Sequence, residues 1–161
     1  MIIKNSTIMK TTKMKKVLIA MDYDETSQKV AEMGYSMANA MNAEVILLHV
    51  ISEQPIYYSS YIFVSELNVN IDIENDLKKT TQKFLDKAKN HLGDKSIITV
   101  LTEGDIADNI LKTAKDLDVD IIVMGSHSRK WLENIFLGSQ AADVLKKTTI
   151  PLYIIPTKKQ N

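Results

Sequence analysis

Cysteine is absent from this chain of 161 residues. Its absence excludes disulfide staples, thiolate nucleophiles and cysteine-based metal centres together. A fold without staples must be held by its core, and a chain of this length can bury one of useful size. An excess of charge is also missing: 20 basic residues balance 20 acidic ones, for a formal net charge of zero. That balance suggests neither nucleic acid nor an anionic bilayer as a bulk partner. No apolar run in the first residues reaches the roughly 7 to 15 of a secretory signal, nor the roughly 20 of a membrane span. With the missing cysteines, this predicts a cytoplasmic protein with no membrane and no nucleic-acid partner. Glycine, proline and arginine are scarce, at five, three and one, the last being Arg129. Where glycine is so sparse, its positions carry information.

The composition that remains, 45% hydrophobic and 25% charged, is that of a globular protein. The stretch from Ile121 to Ile155 organises it. Four apolar residues, Ile121 to Met124, stop at Gly125; a polar and aromatic loop follows, Gly138-Ser139 opens a helical pattern, and Leu152 to Ile155 is apolar again. Strand, glycine turn, helix and strand form one unit of a parallel α/β sheet. Earlier units repeat it. Val17 to Met21 is a strand closing at Asp22, and Val45 to Ile51 and Ser96 to Leu101 are the second and third. Between them, Val30, Met33, Gly34, Met37, Ala38 and Met41 share one helical face, as do Leu77, Thr81, Phe84, Leu85, Ala88 and Leu92, with Gly93 ending the second helix. Gly104-Asp105 then turns and caps a third helix with Ile106, Ile110, Leu111, Ala114 and Leu117 inward, and Asp108 completes a shortened capping box. The pattern predicts an α/β fold, a doubly wound five-stranded parallel sheet with helices on both faces. One domain over residues 14–157 is expected, with a flexible leader at 1–13, where Met9 and Met14 are alternative starts, and a tail at 158–161.

Three segments carry candidate chemistry. Gly125 and Gly138 stand where a strand stops and a helix starts, so backbone amides can approach an anion and the helix dipole favours it. Ser139 either donates to a phosphate there or caps the helix. Asp22, ending the first strand, is either an acceptor for ribose hydroxyls or a cap or turn residue. Arg129, with Lys130 beside it, is either a phosphate ligand or a solvated loop charge. His49, His91 and His127 lack the paired spacing of a zinc site, so no metal ligands are expected, and any Mg²⁺ would arrive with nucleotide phosphates. Trp131 and Phe136 read as packing or interface residues. Tyr57, Tyr58, Tyr61 and Phe63 fall in a stretch too long for an ordinary loop, which either folds over the sheet, meets a subunit partner, or forms a lid.

The glycine spacing resembles the signature of the universal stress protein family: Gly, two residues, Gly, nine residues, Gly, then Ser or Thr. Gly125, Gly138 and Ser139 match it, and Ser128 stands in place of the second glycine. A serine there either crowds the phosphates or supplies a further donor. The flanking KKVLIAMD, AEVILLHV, DVDIIVMGSH and IPLYII are similar to the family as well, from Lys15 to Pro156. The resemblance implies strand order 3-2-1-4-5 and an ATP site at Ala20, Asp22, Val50, Met124, Gly125, Ser128, Gly138, Ser139 and Gln140, to which Arg129 adds a candidate cation. It further implies a homodimer through the last strand, Pro151 to Ile155, and a stress-linked regulator or sensor binding ATP or another adenine nucleotide. Two alternatives stay open, a protein-interaction module without nucleotide and a slow nucleotide hydrolase. No activated nucleophile or complete Walker pattern is present, so no catalytic residues are expected. A phosphoacceptor receiver is a fold-level rival through Asp22 and Asp24, though its phosphoacceptor aspartate is missing where the third strand ends at Thr102-Glu103.

Overall fold

A computed structural model describes residues 14–24, 26–52, 73–126 and 137–157. In chain order these form β1 (Lys16–Ala20), α1 (Ser27–Ala40), β2 (Glu44–Ile51), α2 (Ile73–Leu92), β3 (Ile98–Glu103), α3 (Ile106–Asp116), β4 (Ile121–Gly125), α4 (Ser139–Lys147) and β5 (Leu152–Ile155). The strands pair in parallel in the order β3-β2-β1-β4-β5, as the family resemblance implied. A receiver-type sheet runs 2-1-3-4-5 instead, which removes that rival.

The continuous apolar runs are explained by burial on both faces of the sheet. Side chains alternate along a strand, so Val17 and Ile19 face one way and Leu18 the other. Val17, Ile19, Leu47 and Val123 pack with Val30, Ala31 and Ala38 of α1 and Leu85 of α2. Leu18, Ile46, Leu48 and Ile122 pack with Ile110 and Ala114 of α3 and Ala141 and Val144 of α4. Two layers of core therefore clamp one sheet. At roughly 25 cal/mol per Å² of apolar surface removed from water, this burial is the main favourable term in the fold.

Gly34 sets how closely α1 approaches the sheet. A Cβ there would stand 2.8 Å from Ile19 Cδ1 and 3.1 Å from Val123 Cγ1. The expected face of α1 needs correction for this reason. Met33 is 47% exposed, and Ala31 is buried in its stead. Small residues face the sheet because the close approach leaves no room for a long one. The third strand also begins later than expected, at Ile98. Ser96 is held in a turn by Asp94, whose Oδ1 accepts from the Ser96 amide at 2.8 Å and from its hydroxyl at 2.6 Å.

Helix ends follow the local chemistry. Asp105 caps α3 by accepting the Asp108 amide at 2.9 Å, and Gly93, at φ 71°, ends α2 in the left-handed region that glycine enters freely. Among the described residues no helix is long and apolar enough to cross a membrane. The expected leader, the expected tail and the aromatic positions Tyr57, Tyr58, Tyr61 and Phe63 lie outside the described residues.

Candidate functional site

β1 lies between β2 and β4, and the chain leaves it for α1 on one face while α3 delivers the chain to β4 from the other. The carboxyl ends of β1 and β4 consequently part, and a crevice opens where ligands bind in doubly wound sheets. A cleft of about 240 Å³ occupies it. Ala20, Met21 and Asp22 line it from β1, Leu48 to Val50 from β2, Met124 and Gly125 from β4, and Ser139 to Ala141 from α4. Ile106 and Ile110 add an apolar wall, and Asp24, Thr26, Ser27 and Val30 add the start of α1.

The amino end of α4 is built to leave donors open. Its N-cap is Gly138, at φ −63° and ψ 154°, which has no side chain to offer, and no acidic residue stands in the first turn. This corrects the capping role considered for Ser139, which is the first helical residue. The first amides of a helix have no carbonyl of their own to meet, so those of Ser139, Gln140 and Ala141 bring the positive end of the dipole to the cleft. Gly138 has ordinary extended geometry, and what glycine contributes at this buried position is the lack of a side chain over those amides. Its own amide donates to the Ser126 carbonyl at 3.1 Å, and its carbonyl accepts from Ala142 at 2.9 Å.

Asp22 is not the cap of α1, whose N-cap is Thr26. Its Oδ1 accepts the Tyr23 amide at 2.8 Å, whereas the entry to α1 is organised by Asp24, whose Oδ1 accepts from both the amide and the hydroxyl of Thr26 at 2.7 Å. Ser27 adds a hydroxyl bond to the Asp24 carbonyl at 2.8 Å. Asp22 and the glycine-flanked helix end thus line one cavity. Ser128 and Arg129 lie outside the described residues, as do His127, Trp131 and Phe136.

The sequence did not single out His49 as a site residue. It sits in β2, as its apolar neighbours require, yet it lines the cleft and a second cavity of about 340 Å³ that continues past Asp22, Val50 and Ile106 to Leu77, Thr80 and Thr81 of α2. Its Nδ1 is 2.7 Å from the Met21 carbonyl. A carbonyl only accepts, so Nδ1 carries the hydrogen of this bond. The ring stands edge-on to Phe84, centroids 6.0 Å apart. Only the adjacency of β2 to the end of β1 would have revealed this. His91 is engaged elsewhere, 2.7 Å from Glu32 Oε1. Among the described residues no group of three or more His, Cys, Asp or Glu could hold a metal ion.

Residues 13–156 match the Universal stress protein family. Universal stress protein MJ0577 of Methanocaldococcus jannaschii is 36% identical over 158 residues, covering 89% of this chain and 96% of that protein. Universal stress protein YxiE of Bacillus subtilis is 32% identical over 145 residues, covering 87% and 97%. The solved structure of MJ0577 matches with a TM-score of 0.70 at 32% identity, covering 92% of this chain and 100% of that one. Two further structures share the fold at lower identity. A universal stress protein in complex with cAMP has a TM-score of 0.61 at 20% identity, covering 91% and 100%. One from Archaeoglobus fulgidus in complex with dAMP has 0.61 at 18%, covering 89% and 99%.

Proposed function

The chain belongs to the universal stress protein family, and from that premise we propose that it binds an adenine nucleotide, ATP foremost, and acts as a stress-response regulator or sensor in the cytoplasm. The observation that carries this reading is the uncapped first turn of α4, whose residues share a cleft with Asp22 at the switch point of the sheet. Open amides suit an anion, and a carboxylate suits ribose hydroxyls. Gly138, Ser139 and Gln140 would meet the phosphates, with Gly125, Ser128 and Arg129 completing the loop around them. Ala20, Val50 and Met124 would wall the nucleoside. Family structures in complex with cAMP and dAMP support adenine as the base. Mg²⁺ would be brought by the phosphates. The protein is read as a homodimer through Pro151 to Ile155, since an edge strand offers unpaired backbone groups to a second copy.

Calorimetric titration of nucleotide-stripped protein with ATP and Mg²⁺, beside Gly138→Asp, tests the site. The backbone at Gly138 is one an aspartate N-cap adopts, so the new carboxylate would satisfy the amides offered to phosphate. Saturable binding by the natural chain, lost in the variant, is expected. No binding of ATP, ADP, AMP or cAMP by the natural chain would overturn the reading and favour a protein-interaction module.

A further inference from the structure

Ser126 follows β4 and opens the chain segment that returns at Gly138. All its polar backbone and side-chain groups are engaged. Its amide donates to the Ile155 carbonyl at 2.9 Å, carrying the β4 to β5 ladder one step beyond Gly125. Its carbonyl accepts the Gly138 amide at 3.1 Å. Its Oγ accepts the Thr157 amide at 3.1 Å, with the Thr157 hydroxyl 3.5 Å away. Thr157 is buried, and the residue before it is held from the other side, where the Pro156 carbonyl accepts from Lys29 Nζ at 2.7 Å. Three segments, the exit of β4, the N-cap of α4 and the chain leaving β5, therefore meet at one serine.

We propose that Ser126 is a positioning residue for the phosphate-facing amides of α4. The inference rests on the nucleotide reading above. Amides at a helix end stabilise an anion only while they converge on it, and displacement by about an ångström is costly. The Gly138 amide is directed by the Ser126 carbonyl. That carbonyl is in turn oriented by the Ser126 amide on Ile155 and the Ser126 Oγ on Thr157. Removing Oγ leaves the Thr157 amide without this acceptor and the Ser126 carbonyl with one restraint fewer, while the strands and α4 keep their own ladders.

The test compares the natural chain, Ser126→Ala and Ser126→Thr, titrated with ATP and with adenosine, and measures amide exchange without ligand. Ser126→Ala should bind ATP about tenfold more weakly, the loss of one hydrogen bond, with adenosine changed by less than about twofold on the same scale. Ser126→Thr retains Oγ and should restore ATP affinity. In unliganded Ser126→Ala, exchange should quicken at Gly138 and Thr157. Equal losses for ATP and adenosine, or no rescue by threonine, would reduce Ser126 to a structural residue and overturn the proposal. Unchanged ATP affinity in Ser126→Ala would overturn it and leave nucleotide binding standing. If the natural chain binds neither compound, the nucleotide reading fails and the positioning role that rests on it is overturned with it, whatever the exchange at Gly138.

Discussion

Asp22 and His49 approach the same cleft by different routes, and only one was visible in the sequence. Asp22 was legible because an acidic residue closing an apolar run marks a strand end. His49 was not, because its place in the cleft depends on β2 lying beside the end of β1, a contact that no local spacing encodes. Of the two roles open to Ser139, the cap is suggested because serine outranks glycine there on average; Gly138 takes the N-cap instead and leaves the first turn open. Asp22→Asn keeps an oxygen for the Tyr23 amide but removes the charge. On the nucleotide reading it should weaken ATP binding by roughly tenfold, since a charge-assisted hydrogen bond becomes a neutral one. The preference for ATP over 2′-deoxy-ATP should shrink with it. Parallel titrations with both nucleotides check this, and an unchanged preference removes Asp22 from the ribose.

Among the elements, the strands were the most legible, because burial on both faces writes an unbroken apolar run. The face of α1 was harder to read, since the residues that meet the sheet are small and Met33 imitates a core position from outside. Gly34→Val would push a branched side chain into Ile19 and Val123, so it should destabilise the fold by about 1 to 3 kcal/mol, read as a lower urea midpoint. The links between α1 and α2 and the turn before β3 are polar. Glu32 is held below the ordinary carboxylate range first by its bond from Gln28 and then by His91. Asp94 is held low by the Ser96 hydroxyl and amide, with Tyr35 donating to its other oxygen at 3.2 Å. A carboxylate depressed in the folded state binds fewer protons there than in the unfolded chain. Its contribution is therefore complete above the ordinary carboxylate pKa and is lost as pH falls through the depressed value. Urea midpoints should decline on acidification, and less steeply for Glu32→Gln and Asp94→Asn.

At the scale of the whole molecule, the sheet formed by the described residues ends at two edges, β3 and β5. On β5, Tyr153 is 40% exposed, in the strand through which we propose that two copies pair. Tyr153→Lys places a charge on that edge and should convert a dimer into a monomer in sedimentation equilibrium. ATP affinity should persist, since Tyr153 is not among the residues that line the cleft. A monomeric natural chain at micromolar concentration would contradict the pairing. The bond between the Ser126 carbonyl and the Gly138 amide has a consequence for descent as well as for binding. Because the two feet of residues 127–137 are tied together, the sheet and α4 do not depend on the length of what lies between. Doubling a closed segment costs only about 0.6 kcal/mol in closure entropy. Substitutions within that stretch that keep the family spacing can then change what meets the ligand while a lineage inherits the same core.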